Sequence, residues 1–206
     1  EADGVIHAKV WGILPKERIE VKSKKENVDY KKLIAAGNCF AEGEEVIDYG
    51  FVERWILGMA EKYGVEVMQV GYDRYNAIST VQKLEAEGME CVEVKQHSSV
   101  LHPPTKLLRE AILKREFAYD ENRLLEINFQ NARCTEHTNL NKYVNKKRSA
   151  GKVDMVISII IAVYLMQQAV VGGKYGYGSA MAVIMAIGLL LYSVVYLKVT
   201  KYGKEG

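Results

Sequence analysis

The sequence predicts an α/β fold, and three of its features carry that reading. Residues 65–72 (VEVMQVGY) read as a strand, 75–87 as a helix and 90–94 as a second strand, a strand–helix–strand unit of the kind that joins parallel neighbours. Val52, Trp55, Ile56, Met59 and Tyr63 recur at helical spacing along one face of residues 48–63. From Met155 to Val171 there is no charged residue, which marks a helix suited to cover a sheet.

The remaining elements follow in order. Residues 7–14 (HAKVWGIL) read as a strand ended by Pro15, and 28–36 as a short helix closed by Gly37. Gly64 caps the helix of residues 48–63, and Gly88 ends the one over 75–87. A loop over 96–104 leads to a helix at 105–114, a short strand at 117–119 and a helix at 124–134. Beyond the apolar helix, residues 172–178 (GGKYGYG) form a glycine-rich linker. Residues 179–206 then read as a hydrophobic helix with a basic tail. Its core, 180–197, has 18 uncharged residues, about 27 Å of helix and close to a bilayer's hydrocarbon thickness. Lys198, Lys201 and Lys204 place its far end on the cytoplasmic side of any membrane.

The composition of these 206 residues, 49% hydrophobic and 26% charged, excludes a disordered tail or a collagen-like fibre. Three scattered cysteines without a CxxC pair exclude a disulfide-stapled miniprotein and suit a reducing compartment. A net charge of +2 sets no partner by itself, but the charges gather in the first 150 residues. No GxSxG, HExxH or P-loop pattern occurs, so serine-hydrolase, zinc-peptidase and ATPase chemistry lack support. Cys134 and His137 make only half of a zinc site.

Two aspartates hold positions where chemistry gathers. Asp73 stands just beyond the strand of residues 65–72, where α/β proteins collect ligands; its alternative role is to cap the helix that follows. Asp154 opens the apolar helix, either as an acid favoured by the helix dipole or as a second carboxylate at the sheet rim. Together they suggest a divalent-metal site for phosphodiester hydrolysis. Residues 131–152 form a basic polar loop, with Arg133, Lys142, Lys146, Lys147, Arg148 and Lys152 against Glu136 alone. Such a loop either binds a polyanion such as the DNA backbone or is a solvated surface.

In this order the segments resemble the C-terminal nuclease domain of large terminase subunits from tailed bacteriophages. The features that match are Trp11-Gly12-Ile13-Leu14-Pro15, Tyr30 with Leu33-Ile34 and Gly37, and Gly43-Glu44-Glu45-Val46-Ile47-Asp48-Tyr49. Tyr72-Asp73-Arg74-Tyr75-Asn76-Ala77, Leu84 with Gly88, Gln96, Pro103-Pro104-Thr105-Lys106, Asn131 and Lys152-Val153-Asp154 complete the set, across residues 11–168. The resemblance implies an RNase H-like mixed sheet flanked by helices and a metal-dependent endonuclease that cuts concatemeric double-stranded DNA during packaging. It implies two ions, Mg²⁺ or Mn²⁺, with Asp73 and Asp154 at the family's second and third acidic positions and Asp48 in a structural role. The terminase small subunit and the portal protein are the implied partners, and the host cytoplasm the implied location. The family's first acid lies on a strand expected before Glu1, and its ATPase domain also falls outside the sequence. A non-catalytic DNA- or partner-binding module on the same fold is therefore the competing expectation. Residues 174–206 resemble instead the last membrane-spanning helix of a sugar-type ABC transporter permease, which raises a membrane-anchored alternative through residues 180–197.

Overall fold

Short strands and an apolar helix set the architecture. In a computed structural model, the structure describes residues 4–74, 77–136 and 140–171. The chain divides between Leu165 and Met166, and the first unit carries every strand among the described residues. The strands are β1 (Ile6–Ala8), β2 (Gly12–Leu14), β3 (Cys39–Ala41), β4 (Val70–Tyr72), β5 (Cys91–Glu93), β6 (Phe117–Tyr119), β7 (Cys134–Glu136) and β8 (Lys142–Val144). The helices are α1 (Ile19–Glu26), α2 (Tyr30–Ala35), α3 (Tyr49–Leu57), α4 (Met59–Tyr63), α5 (Ile78–Ala86), α6 (Ser98–Lys114), α7 (Arg123–Asn131) and α8 (Asp154–Val171).

The expected crossover is present, since β4 and β5 run parallel around α5. β1 pairs with β6 and β2 with β3, both also parallel, whereas β7 and β8 form an antiparallel hairpin. Among the described residues the strands hydrogen-bond in pairs and not as the single mixed sheet expected, and each strand is only three residues long.

α8 provides the centre of the core. Met155, Val156, Ile157, Ile159, Ile160, Ile161, Val163 and Leu165 are buried. Asp154, Ser158, Ala162 and Met166 recur every fourth residue as its exposed stripe. Burying one such Ile or Leu contributes about 2–3 kcal/mol. Two glycines let the helix approach the strands. A Cβ at Gly71 in β4 would lie 2.6 Å from Ile161 Cγ2 and 2.8 Å from Leu165 Cδ1. One at Gly12 in β2 would lie 3.4 Å from Met155 Cε and 3.2 Å from Leu124 Cδ2. Trp11 and Trp55 meet edge to face at 4.4 Å, and Phe40 and Tyr63 extend the aromatic cluster, so both tryptophans serve packing.

Several expectations are corrected. Residues 7–14 are two strands with different partners, β1 and β2. Only residues 70–72 of the stretch 65–72 are strand: β5 offers three residues to pair, and Met68 is left 68% exposed. The helix of 48–63 breaks at Gly58 into α3 and α4; Gly64, in the left-handed region at φ 64°, caps α4 as its lack of a Cβ allows. α6 begins seven residues before the expected position 105 and carries Pro103 and Pro104 inside it. The burial of Leu101, Pro104 and Leu108 outweighs the backbone bonds the prolines forgo. α7 ends at Asn131, ahead of the expected 134, and α1 forms over Ile19–Glu26, where the sequence predicts no element.

The expected basic loop is in part the β7–β8 hairpin. Lys142 N–H donates to His102 Nδ1 of α6 at 2.9 Å, and Lys142 and Glu136 pair across the strands at 3.1 Å. Among the described residues no helix is long and apolar enough to cross a membrane. The linker at 172–178 and the helix at 179–206, with its expected membrane span at 180–197, lie outside the described residues.

Candidate functional site

Asp73 stands where β4 and β5 end together. Val94 N–H donates to Tyr72 O at 2.9 Å and closes the ladder there, and Gln69 Nε2 bonds Glu90 Oε1 at 2.7 Å at the opposite end. Beyond that closure, Gln96 Nε2 donates to Asp73 Oδ2 at 2.5 Å. Asp73 is exposed, and it does not cap the next helix, since α5 begins after Ala77 without a side-chain cap. An amide donor fixes one carboxylate oxygen and leaves a second oxygen on the same group as a further acceptor.

Asp154 is positioned by α7. Asn128, 3% exposed, donates through Nδ2 to Leu124 O at 2.8 Å and accepts from Met155 N–H at 3.2 Å. Asn131 Nδ2 donates to Lys152 O at 3.2 Å. These two asparagines fix the turn ahead of α8, and Asp154 is that helix's first residue, where its charge suits the dipole. Its carboxylate is 62% exposed and pairs with Lys146 Nζ at 3.2 Å. Tyr30 donates its hydroxyl to Glu26 Oε2 at 2.5 Å. Burial first, then that bond, raises the Tyr30 pKa well beyond the ordinary tyrosine value, and the Asp154 charge adds to the rise.

The two aspartates have different partners. α8 passes Gly71 at Ile161 and Leu165, seven and eleven residues into the helix, so roughly 10 and 16 Å along its axis from Asp154. Among the described residues no group of three or more His, Cys, Asp or Glu side chains suited to a metal ion forms. Cys134 is exposed, and His137 lies outside the described residues.

The six basic residues separate into groups. Arg133 donates to Gln130 O and Ala132 O at 2.8 and 2.9 Å, binding the end of α7, and Lys142 is taken up by Glu136. Lys147 and Arg148 lie exposed in a turn organised by Asn145, whose Oδ1 accepts from Lys147 N–H at 2.9 Å. Lys146 and Lys152 border a groove of about 1320 Å³ whose other basic walls are Arg18, Lys22, Lys25 and Arg123. The sequence gives no sign of the α1 wall, because that helix has mixed charges and only Ile19 buried, so no apolar stripe marks it. The asparagine at 128 carries no signal either, and Gln96 stands out only as part of a loop.

Parallel strands flanked by helices, a carboxylate beyond a strand end, another at the head of the central helix and a basic turn beside it define an α/β domain with exposed acids next to a basic surface. More particularly, the chain belongs to the terminase large subunit endonuclease domain family, whose model matches residues 1–169. The crystal structure of the HK97 bacteriophage large terminase is similar in fold, with a TM-score of 0.67 and 18% identity over 74% of this chain. That match takes in 32% of the HK97 protein, so the chain spans about a third of its length. The large terminase nuclease from thermophilic phage G20c matches at a TM-score of 0.46 and 19% identity, covering 57% of this chain and 62% of that one. No curated protein matches the chain in sequence. The permease resemblance of residues 174–206 has no support in these comparisons, and the family match stops short of it.

Proposed function

We propose that the chain is the DNA-cutting domain of a tailed-phage packaging terminase, hydrolysing phosphodiester bonds of concatemeric double-stranded DNA with Mg²⁺ or Mn²⁺. The observation that carries this reading is the family match over residues 1–169, which contains both Asp73 and Asp154. The terminase small subunit and portal protein are the partners it brings, and the host cytoplasm is its setting.

Carboxylate oxygens are hard donors of the kind these ions take. Asp73 and Asp154 are exposed and suit the ions in chemistry, and a two-ion site needs further donors beside them. Divalent cations supply the positive charge that stabilises the attacking and leaving oxygens. The chain's own groups set the stage for this. Gln96 holds Asp73 in one orientation, Lys146 pairs with Asp154, and these two carboxylates would hold the ions. Arg133, Lys142, Lys146, Lys147, Arg148 and Lys152 form the basic side of the DNA contact, with the exposed Lys147, Arg148 and Lys152 foremost.

Binding of Mn²⁺ to the whole chain, followed by electron paramagnetic resonance, tests the reading. The expected result is saturable binding that Asp73→Asn or Asp154→Asn each weakens by at least about tenfold, the lower bound known for losing even an outer partner of a metal site. Equal binding by wild type and both variants overturns it. A second reading, a non-catalytic DNA-binding module on the same fold, draws on the Lys146–Asp154 pair, which occupies one of the two carboxylates. It predicts DNA binding without cleavage.

A further inference from the structure

We infer that the groove between α1, α7 and the turn ahead of α8 is a track for the phosphate backbone of duplex DNA, with Arg18, Lys22 and Lys25 as a second basic wall. The inference rests on the DNA-processing reading and extends it. Arg18, Lys22 and Lys25 stand at intervals of four and three residues, so they share one helix face. They line the same groove as Arg123, Lys146 and Lys152, against two carboxylates, Glu26 and Glu45.

The charge in the groove is compensated only in part, since Arg123 pairs with Glu126 at 2.7 Å and Lys146 with Asp154 at 3.2 Å while three other cations stay unpaired. Arg18, Lys25 and Lys152 have no ion-pair partner among the described residues, and Lys22 reaches Glu26 only at 4.0 Å. Glu26 is itself engaged by the Tyr30 hydroxyl, and the other acid of α1, Glu20, pairs with Lys31 at 2.7 Å, outside the groove lining. An ordinary solvated helix face intersperses both signs. Here Arg18 and Lys25 stand unpaired on one wall and Lys152 on the other, cations facing across a cleft in an arrangement that a polyanion relieves. A stripe from Arg18 to Lys25 covers about 10 Å, the axial length over which one DNA strand presents roughly three phosphates. Lys146, in the opposite wall, holds Asp154, so a backbone lying in this groove passes that carboxylate.

The test is fluorescence anisotropy of a labelled DNA duplex with the whole chain, titrated with NaCl in the absence of divalent cations. Arg18→Gln/Lys25→Gln is compared with Lys147→Gln/Arg148→Gln and with the remote pair Lys62→Gln/Lys114→Gln. All six residues are exposed, and glutamine keeps helix propensity, so the fold survives each change. The expected result for the groove pair is weaker binding whatever the duplex sequence. Its slope of log affinity against log salt should fall by about two, one for each phosphate left without its cation. The remote pair leaves both unchanged. If the groove pair binds like wild type while the Lys147/Arg148 pair is weakened, this inference is overturned and the DNA reading stands. If the wild-type chain binds no duplex at any salt, both fall.

Discussion

Glu53 shows how a single residue ties this fold to pH. It is 9% exposed, in α3, and accepts from Lys83 Nζ at 3.0 Å and Thr80 Oγ1 at 3.0 Å, both on α5. The Lys83 bond above all, helped by Thr80, holds its carboxyl below the usual glutamate pKa against the opposing effect of burial. A depressed folded pKa means that the stability it contributes is present above the unfolded value, about 4.3, and is lost as pH falls through the lower folded value. Thermal unfolding followed from neutral pH into the acid range should therefore show wild type losing stability more steeply than Glu53→Gln in that window. Parallel loss contradicts the assignment. The sequence does not single out this ion pair, because a Glu and a Lys thirty positions apart carry no local pattern. Asp73 and Asp154 are legible from their places beside a strand and a helix. Their partners Gln96 and Lys146, supplied from distant segments, are not.

Among the elements, α8 and the β4–β5 crossover carry the architecture, and both are legible, one from an uncharged run and the other from alternating strand and helix patterns. Elements whose stability comes from distant contacts are not legible. The β7–β8 hairpin has three-residue strands rich in charge and is fixed by His102 on α6, and α1 buries only Ile19 of its own residues. The resemblance in the order of motifs supplies what periodicity does not. The packing of α8 on β4 makes its own prediction. Gly71→Ala puts a methyl 2.6 Å from Ile161, an overpacking that costs about 1–3 kcal/mol. At about 2–4 °C of melting temperature per kcal/mol for a chain of this size, a thermal melt should show a clear fall. An unchanged melting temperature means that α8 does not lie this close to β4.

At the scale of the whole molecule, the family match and the HK97 likeness place the first 169 residues in a terminase nuclease fold. The exposed carboxylates and basic groove give that fold its surface chemistry. The sequence points to the carboxylates through position and to one wall of the groove through charge, but the groove itself exists only once α1, α7 and the turn before α8 are folded together. What decides whether this surface cuts DNA is a plasmid-cleavage assay of the whole chain with Mn²⁺. The account predicts nicked and linear products from wild type, none with a chelator, and rates reduced roughly 10²–10³-fold by Asp73→Asn or Asp154→Asn, the effect of losing several kcal/mol of transition-state stabilisation. Intact plasmid with wild type, or undiminished cutting by both variants, contradicts it.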